Sequence, residues 1–238
     1  MIEEIEQACS QHGPSKRKRW SNGRVSGCQQ CQLEADQRAE QEHKARMRAD
    51  RVEALWRAAE IPARYQRKDF GAYEPATQKQ RLALETCKRY AEGVLARVER
   101  GQCLVLIGPP GVGKTHLLCS VVGEAIRRLV PARYATMTGF LAAVRGSWAW
   151  HGEEQGEQFV RPAVLVLDEL WLPQSGRDRE SLLGLLDARY GDGKPTLVAS
   201  NMAWPQMQAE VGERFCDRLL EGGGEVVALD GKSARSAR

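Results

Sequence analysis

The stretch Gly108-Pro109-Pro110-Gly111-Val112-Gly113-Lys114-Thr115 carries the densest chemistry in the chain. It follows an apolar run at 103–107 and precedes a helical pattern reaching about residue 129, as a G-x-x-x-x-G-K-[ST] phosphate loop requires. Glycines let successive backbone N–H groups point inward around phosphates. A helix starting at Gly113 adds the partial positive charge of its N-terminus. Lys114 is expected to reach the β- and γ-phosphates of a nucleotide, and Thr115 to offer its hydroxyl to Mg²⁺. A glycine-rich turn without a ligand is the plain alternative, and the flanking strand and helix argue against it.

Val164-Leu-Val-Leu-Asp168-Glu169 closes four apolar residues with two carboxylates. An acid at the C-terminal end of a parallel strand lies on the edge where such sheets bind ligands. There Asp168 would hold the Mg²⁺ shell and Glu169 would orient or deprotonate a water. Alone the pattern is common; beside a phosphate loop it gains force. Residues 194–201 (KPTLVASN) form another apolar strand ending in an amide. A strand beside the one bearing Asp168 would bring Asn201 near the γ-phosphate, although Asn after a strand often only makes a turn.

Cys9-x2-His12 and Cys28-x2-Cys31 have the spacing of two donor pairs for one tetrahedral zinc ion. Four protein ligands leave no open position, so the metal would be structural. A polar segment with almost no core would need it to fold. Scattered cysteines and a surface histidine are the alternative. Cys87, Cys103, Cys119 and Cys216 sit in apolar contexts and read as packing residues. Between the pairs, Lys16, Arg17, Lys18, Arg19 and Trp20 suit either a nucleic-acid grip or a solvated charged loop. Arg214 and Arg218 lie four apart on a predicted helix face, where either could neutralise a transferring phosphoryl group or make an ordinary surface ion pair. Arg235, in the basic tail, has the same ambiguity.

The elements that must position these residues fall into three stretches. Residues 1–32 are short and polar. Residues 33–60 lack Gly and Pro and read as one exposed helix whose apolar positions, Val52, Leu55, Trp56 and Ala59, come near its end. Pro62 breaks it. From 62 onward, apolar runs at 103–107, 133–137, 164–167, 196–200 and 225–229 alternate with helical patterns, including one over about 139–149. That alternation predicts an α/β fold with a mostly parallel sheet covered on both faces. Segments 151–158 and 222–224 look like loops. The expected division is a zinc-binding module at 1–32, a helical linker at 33–61 and an ATPase domain at 62–238. At 238 residues, 42% hydrophobic and 28% charged, with net charge +4, the chain has the composition of a soluble protein that tolerates a nucleic-acid partner without demanding one. No apolar run approaches the roughly 20 residues of a membrane span, and the acidic start is no secretory signal. A cytoplasmic address and no membrane partner are expected.

Together, GPPGVGKTHL, VLVLDEL, TLVASNM and GERFCDRL resemble the DnaC/IstB-like branch of AAA+ ATPases, over about residues 60–238. His116 after Thr115, the GER-x-x-DR segment, and the lead-in Ile61-Pro-Ala-Arg-Tyr with Phe70 and Tyr73 add specificity. The N-terminal C-x2-HG…C-x2-C module is similar to those on phage and prophage replication proteins. The resemblance implies an AAA+ three-layer core with strand order 5-1-4-3-2 and an ATP·Mg²⁺ site spanning Gly108, Pro109, Pro110, Gly111, Val112, Gly113, Lys114, Thr115 and His116. It implies a hydrolytic pair in Asp168 and Glu169, a first sensor in Asn201, an arginine finger in Arg218 with Arg214, and a second sensor in Arg235. The partners it implies are a hexameric replicative DNA helicase, single-stranded DNA and other copies of the chain, with segment 138–150 (Arg145, Trp148, Trp150) as the DNA path. The sequence departs from larger AAA+ proteins in having no helical lid before its end. An IstB-like helper of a DNA transposase is the nearest alternative. A small-molecule kinase and a non-catalytic adaptor fit less well, because Asp168, Glu169 and Asn201 suit water activation.

Overall fold

The computed structural model describes residues 2–66, 68–145 and 153–233, apart from the side chains of 153–155 and 214. Trp148, Trp150, Arg235 and the Arg214 side chain therefore lie outside the described residues. The chain forms two compact units, residues 1–51 and 52–238. No described helix is long and apolar enough to cross a membrane.

In the first unit β1 (Ile2–Cys9) and β2 (Gly13–Trp20) pair as an antiparallel hairpin. Sequence reading placed Lys16, Arg17, Lys18 and Arg19 on a loop; they form a strand instead. Neither strand has the apolar alternation that usually reveals one. What favours pairing is charge, since Glu3 faces Arg19, Glu4 faces Lys18 and Glu6 faces Lys16 across the ladder. Those carboxylates offset most of the basic run, which favours the solvated reading of it over the nucleic-acid grip. Gly13, at φ 70°, takes the left-handed turn that reverses the chain. The long helix α1 (Gln29–Ala58) starts at Gln29 rather than at 33, so Cys31 lies in its first turn.

In the second unit the last turns of α1 bury Leu55, followed by Ala59 and Ile61. Then come α2 (Gln78–Glu92), α3 (Val94–Glu99), β3 (Leu104–Ile107), α4 (Lys114–Arg127), β4 (Ala132–Thr136), α5 (Met137–Arg145), α6 (Glu153–Val160), β5 (Val164–Leu170), α7 (Gly176–Gly191), β6 (Thr196–Ser200), α8 (Trp204–Val211), α9 (Glu213–Leu220) and β7 (Glu225–Ala228). The five strands are parallel in the order β4-β5-β6-β3-β7. Counting from β3 as the first core strand, this is the order 5-1-4-3-2 of the AAA+ arrangement. The continuous apolar runs have a physical reason. Leu104 and Leu106 enter one core with α2 and α4, while Val105 and Ile107 enter a second core with α5, α7 and α9. Every residue of β3 is thus buried.

Segment 153–158, read as loop, is helical. Its stabilisation is tertiary: Phe159 meets Phe140 edge-on at 5.2 Å, and the Arg189 guanidinium donates to the carbonyls of Phe159 (2.9 Å) and Pro162 (2.9 Å). Arg189 is fully buried, and that burial pulls it down to about 10. It saturates carbonyls that would otherwise be buried without donors.

Candidate functional site

The phosphate loop joins β3 to α4, and crowding explains its glycines. A Cβ on Gly108 (φ 145°) would lie 2.2 Å from the Leu229 carbonyl oxygen, and one on Gly113 (φ 98°) 2.3 Å from the Tyr73 ring. Lys114, 7% exposed, donates through Nζ to the carbonyls of Gly108 (2.6 Å) and Pro109 (2.8 Å) and to Asn201 Oδ1 (2.9 Å). Its ammonium thus stands at the loop carbonyls, where a phosphate oxygen bound in the loop would meet it. Asn201 reaches it because β6 lies between β3 and β5, with Ser200 opposite Ile107.

Asp168 ends the run of β5 and is 2% exposed. Its Oδ2 accepts from the Thr115 hydroxyl (2.7 Å) and the Tyr134 hydroxyl (2.8 Å), and its Oδ1 from the Glu169 N–H (2.8 Å). Burial and the Asp168 charge push the Tyr134 phenol far above its ordinary value, so it remains a donor. Glu169 follows at φ 53°, where the β5–β6 register jumps between Leu167 and Leu170. A non-glycine residue held there costs on the order of 1 kcal/mol. At this bulge Glu169 is exposed and borders a cleft beside the phosphate loop.

That cleft measures about 500 Å³ and is bordered by Pro110, Gly111, Gly113, Lys114, Thr115, His116, Asp168, Glu169 and Asn201, with Arg64, Tyr65 and Lys68 completing the wall. Its size and polar lining fit a nucleotide. Thr115 and Asp168, already hydrogen-bonded, are the residues that would hold Mg²⁺. Val112 points into the core, and its carbonyl accepts from the Tyr73 hydroxyl at 2.9 Å. His116 Nε2 bonds the Asp69 carbonyl at 2.8 Å, and burial lowers its pKa, so it acts there as a neutral donor.

Arg218 lies elsewhere. On α9 it pairs with Asp187, stacks over the Tyr190 ring at 5.0 Å and borders a separate cavity of about 320 Å³. It takes no part in the phosphate cleft of its own chain. Arg145 is held by the buried Asp178, with Nε to Oδ1 at 2.9 Å. Cys87, Cys103, Cys119 and Cys216 are buried in the cores.

The first unit brings Cys9, His12, Cys28 and Cys31 together, all donor atoms within 4.8 Å of one another. Cys9 Sγ lies 3.5 Å from Cys31 Sγ, and His12 Nδ1 lies 3.8, 3.8 and 3.3 Å from the sulfurs of Cys9, Cys28 and Cys31. A zinc tetrahedron with Zn–S of about 2.3 Å and Zn–N of about 2.0 Å has edges of about 3.5 to 3.8 Å, so the donor set fits. Backbone N–H groups of Gln11 and then His12 draw Cys9 down to about 6, and that of Cys31 lowers Cys28. Cys31 is pushed up to about 11, first by the hydrogen-bonded Cys9. A cation held among the three sulfurs would stabilise all of them as thiolates, Cys31 included. His12 Nε2 meets Glu34 Oε1 at 2.9 Å, the outer carboxylate that orients a metal-binding imidazole.

Sequence reading missed Tyr134, Glu34 and the roles of Arg64, Tyr65 and Lys68. Tyr134 left one signal, a phenol in the middle of a predicted strand, which must find a partner when buried. Glu34 left only its place three residues after Cys31 on a helix.

The family model of IstB-like ATP-binding proteins matches residues 31–238. An insertion-sequence ATP-binding protein of Mycobacterium tuberculosis is 30% identical over 145 residues, 58% of this chain and 57% of that one. The phage-like element PBSX protein XkdC of Bacillus subtilis is 28% identical over 162 residues, 64% of this chain and 60% of that one. The chain spans about half the length of the insertion-sequence relatives it matches. The crystal structure of the DnaC helicase loader shares the fold, with TM-score 0.64 over 71% of this chain and 99% of that one at 21% identity. With its phosphate loop on a five-stranded parallel AAA+ sheet, the chain belongs to the family of IstB-like ATP-binding proteins.

Proposed function

We propose that this protein hydrolyses ATP in an assembly of its own copies and, in the cytoplasm, delivers a hexameric replicative DNA helicase onto single-stranded DNA. The observation that carries the catalytic part is the linked set Lys114–Asn201 and Thr115–Asp168 around one cleft, with Glu169 on its border. Lys114 neutralises the β- and γ-phosphates, and Asn201 orients its ammonium. Mg²⁺, when bound, polarises the terminal phosphate and offsets charge on the leaving oxygens. Thr115 and Asp168 would hold that ion, and the Tyr134 hydroxyl restrains the Asp168 carboxylate. Glu169 takes the proton of the attacking water or orients it. Arg218, distant from its own cleft, serves a neighbouring subunit together with Arg214, and Arg235 acts as the second sensor. Residues 1–32 form the partner module around a structural zinc ion, 33–61 the linker and 62–238 the ATPase domain. Zinc supplies the fixed tetrahedral centre that this segment's own side chains cannot build from apolar contacts.

The likeness to a helicase loader and the phage-element relative support loading as the task. The insertion-sequence relatives favour a second reading, an ATPase that assists a transposase on duplex DNA. A pull-down of the full chain against the host's replicative helicase and its transposases in parallel separates the two. Loading predicts capture of the helicase, lost when Cys28 and Cys31 are both changed to Ser. Capture of a transposase alone would replace it with the second reading. Trans action predicts DNA-stimulated ATPase activity rising more than linearly with protein concentration; strictly linear activity would remove Arg218 from the mechanism.

A further inference from the structure

The Asp168 carboxylate is occupied to an unusual degree. An ionised carboxylate carries about four lone-pair sites and no proton of its own. On Oδ2 both sites are taken, by the Thr115 hydroxyl (2.7 Å) and the Tyr134 hydroxyl (2.8 Å). On Oδ1 one is taken, by the Glu169 N–H (2.8 Å), and one is left. Two of these donors have local reasons to be there, since Thr115 lies in the first turn of α4 and Glu169 is the next residue. Tyr134 comes from another strand.

Tyr134 is held in place from three sides. Across the ladder it pairs with Val166, and Thr136 pairs with Asp168, so Tyr134 and Asp168 share a face of the sheet and meet diagonally. Its ring is 7% exposed, in the same core as Val166 and Cys119. On the outer edge of β4 the Tyr134 N–H donates to the Ala59 carbonyl at 2.8 Å, and Arg133 pairs with Glu60 Oε2 at 2.6 Å. A phenol fixed at backbone and ring delivers its proton to one place.

We propose that the Tyr134 hydroxyl sets the metal preference of the cleft, closing Asp168 Oδ2 so that ATP is taken with magnesium in preference to calcium. The proposal rests on the reading of the cleft as an ATP·Mg²⁺ site and adds the residue that selects the ion. Magnesium keeps several of its waters and asks for few protein oxygens. Calcium gathers roughly six to eight oxygens and readily takes both oxygens of one carboxylate. Chelation of that kind needs a free lone pair on each oxygen, and Oδ2 has none while both hydroxyls donate to it. Thr115 has lone pairs of its own for a cation while its proton stays on Oδ2. Tyr134 is therefore the donor that calcium would have to displace.

The test uses the full-length protein and a fluorescent non-hydrolysable ATP analogue, titrated at saturating Mg²⁺ and separately at saturating Ca²⁺. The wild type should bind the analogue about tenfold or more tightly with Mg²⁺ than with Ca²⁺. Tyr134→Phe keeps the ring and removes the hydroxyl; it should shrink that ratio about three- to tenfold, through tighter binding with Ca²⁺. Fluorescent ADP without a divalent ion should bind the variant within about twofold of the wild type, because Asp168 then has no metal to hold. A role in packing alone would weaken all three titrations together and leave the ratio as it was. An unchanged ratio, a wild type indifferent to the ion, or loss of metal-free ADP binding would overturn the assignment. Lys114→Ala separates the levels: normal analogue binding in that variant means that the cleft is not the ATP site, whereas lost binding beside an unchanged Tyr134→Phe ratio removes only the role of Tyr134.

Discussion

The two units of this chain solve the same problem, holding a few polar side chains in fixed geometry, with opposite means. In residues 52–238 two apolar cores sandwich a parallel sheet, and Lys114, Asp168 and Asn201 stand where its strands end. Among the described residues up to 51, the one buried residue is Cys28, itself a member of the Cys/His cluster. Burial of apolar surface offsets chain entropy in the first case; in the second, cross-strand charge pairs add little, and coordination of a cation by the Cys/His cluster would do most of it. A site built on a core should survive losing its ligand, and a site that replaces a core should not.

That contrast is easiest to break with a chelator. Metal removal should unfold residues up to about 51, seen as lost amide dispersion, and leave nucleotide affinity within about twofold. Retained dispersion in metal-free protein would show that the hairpin and α1 stand alone. The mirror experiment is Lys114→Ala. Nucleotide affinity should fall more than about a hundredfold, through loss of a buried charge that faces phosphate, while one zinc per chain stays bound by elemental analysis.

Two glycines sharpen the comparison further. Gly108→Ala meets the Leu229 carbonyl 2.2 Å away and should cost about 2–4 kcal/mol, read as a fall in Tm of the ATPase unit. Gly23→Ala, at φ 81° with no atom within 4 Å, should cost only about 1 kcal/mol, all of it backbone. Equal costs would mean that crowding at the phosphate loop is not what excludes a side chain. Glu34→Gln should lower metal affinity about ten- to a hundredfold in a competition titration with a colorimetric chelator, because the His12 ring loses its charged acceptor. The smallest effect belongs to Tyr134→Phe, about 1 kcal/mol by denaturant titration, since Asp168 keeps Thr115 and the Glu169 N–H.

Much of this molecule is legible in residue order. The phosphate loop is local backbone chemistry, complete within eight neighbours, and the strands of the sheet declare themselves because both their faces are covered. The Cys/His spacing is equally local. Other features escape for identifiable reasons. β1 and β2 carry acids on one strand and bases on the other, so pairing appears only once their register is known. Segment 153–158 is polar, and its helix depends on Phe140 and Arg189 from distant elements. Arg64, Lys68 and Glu34 look like any surface charge until folding sets them beside a cleft or a ligand.

Residue order by itself specified a nucleotide-type loop, an acidic strand end, two metal-spaced pairs and a parallel α/β sheet, because each depends on neighbours within a turn or a strand. The meeting of Lys114 with Asn201 and of Asp168 with Tyr134, and the place of Arg64 and Lys68 on the border of the cleft, came from strand order and packing. Those contacts join residues far apart in the chain, and their distances exist only after the sheet has assembled.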